Sequence, residues 1–109
     1  ELTTTSKNLF IEVKNGKVSK KRVLDPSEIG FKIRKDKELR GGSAQENSFL
    51  MKRVFEGETG AIRDNIVLNA AAGLFISGKV KTIKQGIGVV ENKINNGLIL
   101  NKLKSLAQK

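Results

Sequence analysis

Residues 63–79 read RDNIVLNAAAGLFISGK. Ile66, Val67, Leu68, Ala70, Ala71, Ala72, Leu74, Phe75 and Ile76 leave almost no polar face. A helix that is apolar nearly all round must be covered by neighbours on several sides. At about 1.5 Å per residue this one runs on the order of 25 Å, roughly the width of a small domain. It is too short, and charge flanks it too closely, to cross a bilayer, which takes about 20 apolar residues. Three alanines and Gly73 would let other elements come close. Asp64 suits the positive end of the helix dipole, and Gly78 followed by Lys79 reads as the stop. Asn69 is the one polar member of the run. A buried amide without partners costs about 1–3 kcal/mol. Asn69 is therefore expected to tie the helix to a neighbouring backbone.

What surrounds this rod is bounded by composition. The chain has 109 residues, enough for one small domain. It contains no Cys, His, Tyr or Trp. A disulfide framework, thiol chemistry, a hydrolytic triad and a zinc site are thereby excluded or left without their usual residues. The lack of cysteine fits a cytoplasmic protein. Neither a transmembrane run nor a signal-peptide pattern is present. The formal charge is +10, from 21 basic and 11 acidic residues. Such a balance admits nucleic acid, a membrane surface or a phosphorylated substrate. The lysines are spread along the chain, however, and the five Phe sit in apolar patterns. A solvated basic surface is the expected reading, with nucleic acid binding the weakest.

Ahead of the rod, Leu9, Ile11 and Val13 alternate with Phe10, Glu12 and Lys14, the period of a strand. Val18, Val23 and Leu24 lie on a return leg, with Asn15-Gly16 between the legs. That dipeptide is the strongest short hairpin signal, since a type I′ turn needs positive φ at both central residues. The pattern pairs Val13 with Val18 and Glu12 with Ser19, with an apolar inner face mainly on the first strand. Two strands alone are marginal, so the hairpin is expected to join a central sheet or lean on helices. Asp25-Pro26-Ser27 ends the second strand. Residues 28–39 read as an irregular, partly mobile connection.

Four helices are expected after that. Ser43 with Glu46 matches a capping box for a helix over 44–56, with Asn47, Leu50, Met51, Val54 and Phe55 on one stripe. Gly41-Gly42 before it reads as a tight turn. A phosphate loop is the weaker alternative, since neither GxGxxG nor GxxxxGK[ST] is present. The rod follows. Thr82 then caps Ile83–Asn95, where Ile83, Ile87, Val90 and Ile94 form a clean stripe. Gly86 and Gly88 each cost about 1 kcal/mol against Ala inside a helix, so close packing on the rod is their expected use. Gly97 ends this helix. A last helix over 98–108 should turn Leu100, Leu103, Leu106 and Ala107 inward, with Ile99 contributing. The fold class is α/β: a β-hairpin joining a central sheet, then about four packed helices.

The stretch LRGGSAQENSFLMKRVFEGETG followed by RDNIVLNAAAGLFISGK resembles the C-terminal part of anthranilate phosphoribosyltransferase. The similarity begins at Glu1-Leu2, runs through LDPSEIGF and is firmest from Leu39 to Lys79. Ser43 stands where the family often has Asp, and 32–38 match poorly. The resemblance implies that residues 1–109 are the C-terminal portion of the catalytic α/β domain, of the nucleoside phosphorylase and phosphoribosyltransferase type. Such an enzyme transfers phosphoribose from phosphoribosyl pyrophosphate to anthranilate, with magnesium, in tryptophan biosynthesis. The family's pyrophosphate loop, Lys- and Asn-containing substrate motif and anthranilate-contacting Arg would lie upstream. Glu1 looks like the second half of an Asp-Glu pair that helps bind Mg2+. It is the one metal-site residue the resemblance places here, and no catalytic or substrate-binding residue is expected. The expected partners are the remainder of the same enzyme chain, and a homodimer formed through an N-terminal helical domain. The segment alone should be inactive. Two other readings stand beside this one: a basic nucleic-acid-binding module, and a relative similar to pyrimidine nucleoside phosphorylase.

Overall fold

The computed structural model describes residues 1–107. Four short strands come first: β1 (Asn8–Phe10), β2 (Val13–Lys14), β3 (Lys17–Val18) and β4 (Arg22–Leu24). Two 3₁₀ turns follow at Pro26–Ile29 and Asp36–Leu39. The helices are α1 (Ala44–Phe55), α2 (Ala61–Ile76), α3 (Ile83–Asn95) and α4 (Leu98–Ala107). The arrangement is an α/β fold with a small antiparallel sheet and four packed helices. None of the described helices is long and apolar enough to cross a membrane. Gln108, expected in the last helix, lies outside the described residues.

The helix boundaries follow from local chemistry. Ser43 Oγ accepts the Glu46 N–H at 3.1 Å, and Thr82 Oγ1 accepts the Gln85 N–H at 3.0 Å. Glu46 returns the contact, accepting the Ser43 hydroxyl. α2 begins one turn's edge earlier than the sequence suggests, at Ala61, because Gly60 supplies the extended entry at φ +136°. It stops where expected. Gly78 takes φ +78°, its N–H reaches Phe75 O, and the Lys79 N–H reaches Leu74 O. This pair of bonds is the Schellman closure.

α2 is the rod around which the core forms. Val67, Leu68 and Ala71 are buried together with Val54 of α1 and Ile87, Val90 and Ile94 of α3. Phe31, from the connection ahead of α1, completes the cluster. The closest approach is at Gly86. A Cβ there would stand 2.9 Å from the Ala71 carbonyl oxygen and 3.1 Å from its Cα. Gly86 is thus the notch that lets α3 lie against α2. Gly88 and Gly73 were expected to serve the same end, but a Cβ at either meets nothing within 4 Å. Both sit on the outer side of their helices. The rod is also not covered all round, since Ile76 is 81% exposed at its end. In α4 the inward set differs from the leucine pattern. Ile99 packs on the core, while Leu103 and Leu106 are 43% and 51% exposed. The inward side chain expected of Ala107 lies outside the described residues.

The hairpin has the expected turn. Val13 faces Val18 and Lys14 faces Lys17, leaving Asn15 and Gly16 at φ +53° and +76°. Ser19 donates its N–H to Glu12 O at 2.8 Å. Lower down, Leu9 faces Val23 and Phe10 faces Arg22. Ile11 therefore stands opposite two residues, Lys20 and Lys21, a β-bulge that splits one ribbon into two short ladders. The strict alternation read from the sequence is broken there. The expected apolar inner face also turns outward. Leu9, Val13, Val18 and Val23 are all exposed, Leu9 at 71%. The helical core closes on Leu2, Leu24 and Phe31 instead. Among the described residues the hairpin pairs only with itself, and no central sheet is present.

Residues 26–39 are anchored rather than loose. Phe31 is buried, and the Arg34 N–H donates to Thr4 O at 2.9 Å. The Arg34 guanidinium grips Asp64 Oδ2 at 2.7 and 3.0 Å. Asp64 therefore serves an ion pair as well as the helix dipole. The two turns carry their own carboxylate caps. The Ser27 hydroxyl and N–H hold the Asp25 carboxyl below its ordinary range. The Lys35 N–H does the same for Glu38. Each group contributes stability that is complete above the ordinary carboxylate range and is lost as pH falls through its depressed pKa. Asp25→Asn and Glu38→Gln should lower stability slightly at neutral pH and leave the acid end nearly untouched, so that the acid limb of the stability profile flattens. Urea midpoints measured across that range check this.

Candidate functional site

The first residues run extended along α2 without a strand partner. Side-chain amides take the partner's place. Asn69 Oδ1 accepts the Leu2 N–H at 2.7 Å, and Asn69 Nδ2 donates to Leu2 O at 2.9 Å. Asn69 also donates to Asn65 O, one turn back, at 3.0 Å. One residue on, Asn8 repeats the device on Thr3: its Oδ1 accepts the Thr3 N–H at 2.8 Å and its Nδ2 donates to Thr3 O at 2.9 Å. Thr4 is fully buried, and its carbonyl takes the Arg34 N–H. Three consecutive residues are thus held through their backbones.

Glu1 emerges from this clamp with its side chain exposed. Its Oε1 accepts Asn65 Nδ2 at 3.4 Å. Asn65 and Asn69 are four apart and share one face of α2. Asn65 Oδ1 is buried and has no hydrogen-bond partner among the described residues. Beside Glu1 opens a cleft of about 860 Å³ between the hairpin and the C-terminal half of α2. Leu2, Phe10, Ile11, Phe75, Ile76 and Val80 give it an apolar lining, and Glu12 and Lys81 are its other charged residues.

Glu1 shares the cleft with one other carboxylate, Glu12. Among the described residues no three His, Cys, Asp or Glu side chains gather as a metal-binding group. Magnesium is held by one or two carboxylates and otherwise by water and substrate phosphate. The exposed Glu1 carboxylate, with one long hydrogen bond from Asn65 Nδ2, fits one protein ligand's share of such a site.

The Gly41-Gly42 turn holds no phosphate cradle. Gly42 exchanges both backbone groups with the Asn47 amide, at 3.0 and 3.3 Å. A Cβ on Gly42 would collide with the Glu46 carboxylate. An acidic side chain fills the space an anion would need. No turn forms at 40–42 and neither glycine takes a positive φ, so the pair is a lead-in to the capped helix α1 rather than the tight turn expected.

Sequence reasoning singled out Asn69 as an amide that ties the rod to a backbone, but not Asn65, Asn8 or Arg34. Asn65 carried a signal, its i,i−4 relation to Asn69. Asn8 sits at a strand entry where an amide reads as ordinary turn chemistry, and Arg34 lay within a charged run.

Residues 1–100 match the model of the glycosyl transferase family, a/b domain. An anthranilate phosphoribosyltransferase of a Thermoanaerobacter species is 42% identical over 108 residues, which is 99% of this chain and 32% of that protein. One from Acetivibrio thermocellus is 39% identical over 103 residues, covering 94% of this chain and 30% of that protein. The crystal structure of anthranilate phosphoribosyltransferase from Thermus thermophilus superposes over the whole chain with a TM-score of 0.81 at 29% identity, covering 33% of that enzyme. The chain thus spans about a third of the length of the relatives it matches. With a family match over nearly all of its length, this chain belongs to the glycosyl transferase family, in the a/b domain.

Proposed function

We propose that residues 1–109 are the C-terminal portion of the catalytic domain of an anthranilate phosphoribosyltransferase acting in tryptophan biosynthesis in the cytoplasm. The observation that carries this is the end-to-end match, at 42% identity, to an enzyme of that name. The reaction is a displacement at the anomeric carbon of phosphoribosyl pyrophosphate. The anthranilate nitrogen forms the new bond to that carbon and loses a proton, and pyrophosphate leaves with the bonding electrons. Catalysis of this kind rests on positioning and on neutralising charge at the leaving group rather than on a covalent nucleophile. Bound Mg2+ supplies that neutralisation. A chain without His or Cys is compatible with such chemistry.

In this reading α2 is the platform and Glu1 is the one residue of this chain that reaches the metal. The remaining machinery belongs to the rest of the same enzyme chain, which also makes the homodimer contacts. The nucleic-acid alternative has only the net charge of +10 behind it.

The test is to assay the full-length protein that carries this segment for loss of anthranilate fluorescence with phosphoribosyl pyrophosphate and Mg2+. Turnover that requires all three, and none from the isolated chain, is expected. If the full-length protein leaves anthranilate unchanged but cleaves pyrimidine nucleosides with phosphate, the relative with the other substrate is the correct reading.

A further inference from the structure

We propose that Asn69 is a positioning residue for Glu1, acting through the backbone of Leu2, and that Asn65 steadies the same carboxylate from one turn away. The inference rests on the reading of Glu1 as a magnesium ligand. A single hydrogen bond leaves a peptide unit free to rotate about it. Asn69 makes two, one on each side of Leu2, at 2.7 and 2.9 Å. Its third bond, to Asn65 O at 3.0 Å, fixes the amide to α2 itself. Both donors of the amide are then in use, so neither Asp nor Ala can reproduce the clamp. Asn8 repeats it on Thr3, so the path of the chain behind Glu1 is set residue by residue.

Glu1 is treated differently. The one hydrogen bond of its carboxylate among the described residues is the 3.4 Å contact from Asn65. A backbone held this firmly behind an almost unengaged carboxylate suits a group kept ready for a cation. Asn65 meets the carboxylate through its Nδ2, while its Oδ1 is buried without a partner among the described residues. Partners that orient metal ligands typically change metal affinity about 10–100-fold when removed.

The experiment uses the full-length protein that carries this segment, with Mn2+ alone as the probe. Free Mn2+ is followed by electron paramagnetic resonance, and a thermal melt without metal is recorded beside it. Glu1→Gln and Asn69→Ala should each weaken Mn2+ binding by about tenfold or more. The double variant should lose little beyond the single ones, because both act on one ligand. Asn65→Ala leaves the Leu2 clamp in place and should show a smaller loss in the same direction. It keeps the test open if Asn69→Ala fails to fold. A purely structural Asn69 would lower the melting temperature and leave Mn2+ binding within twofold. That result, with Glu1→Gln still weakened, overturns the positioning role alone. If Glu1→Gln binds Mn2+ normally, the metal reading of Glu1 falls and takes the inference with it.

Discussion

Leu68→Ala should destabilise this fold by about 3–4 kcal/mol, near the upper part of the range for emptying a closed core site. Leu68 is 0% exposed and lies where α2 meets the buried faces of α1 and α3. Its neighbours Val67 and Ala71 are backed by other helices, so collapse into the vacated space is restricted. A domain of about this size is stable by roughly 5–15 kcal/mol. One truncation would therefore remove a large share of the whole. The urea midpoint should fall with the slope unchanged. Ile76→Ala, at the 81% exposed end of the same helix, should stay within about 0.5 kcal/mol in this chain. A loss at Leu68 below about 1 kcal/mol would mean that α2 is not enclosed as described. The consequence reaches the candidate site, because Asn69 is the next residue and holds Leu2 only while α2 keeps its place.

The rod, its stop signal and the hairpin turn were legible because each rests on local chemistry. Nine apolar residues in a row of eleven demand burial wherever the chain goes. Asn15-Gly16 fixes a two-residue turn, and Gly78 fixes a left-handed helix end. Asn69 was legible in kind, as an amide that must find a backbone, but not in partner. Leu2 lies 67 residues away, and nothing local says which backbone it is. The bulge at Lys20 and Lys21 was hidden for the opposite reason. One extra residue shifts the ladder without altering the polar character of that leg. The outward face of the hairpin and the exposed Leu103 and Leu106 were misread because periodicity tells which residues share a face, not whether this chain covers it. Arg34 was lost in a run of charges, where pairing with Asp64 depends on a fold that places two distant segments side by side. Glu1 is a still stronger case. No pattern marks a single carboxylate, and only resemblance singled it out.

Gly86 and Gly88 stand two residues apart in α3 and should answer oppositely to the same kind of change. At Gly88 a Cβ meets nothing within 4 Å. Gly88→Ala should stabilise by up to about 1 kcal/mol, the ordinary gain of replacing a helical glycine. At Gly86 the same gain is available but is outweighed. The new Cβ would press on the Ala71 carbonyl at 2.9 Å and on its Cα and Cβ at 3.1 Å. Those are backbone atoms and a methyl of a buried turn, so no flexible side chain can swing aside. Overpacking of this kind costs about 1–3 kcal/mol. Gly86→Ala should therefore come out destabilised by up to about 2 kcal/mol after the propensity gain. Gly86→Val, with two further methyls and a β-branch, should lose at least about 3 kcal/mol. Relief can come only from moving α3 off α2, which shifts the face of α2 that bears Asn65 and Asn69. Gly86→Val should therefore loosen Mn2+ binding in the full-length protein as well as lower its melting temperature, whereas Gly88→Ala should raise the melting temperature and leave the metal untouched. Equal and favourable responses at the two glycines would show that α2 and α3 do not touch at Ala71.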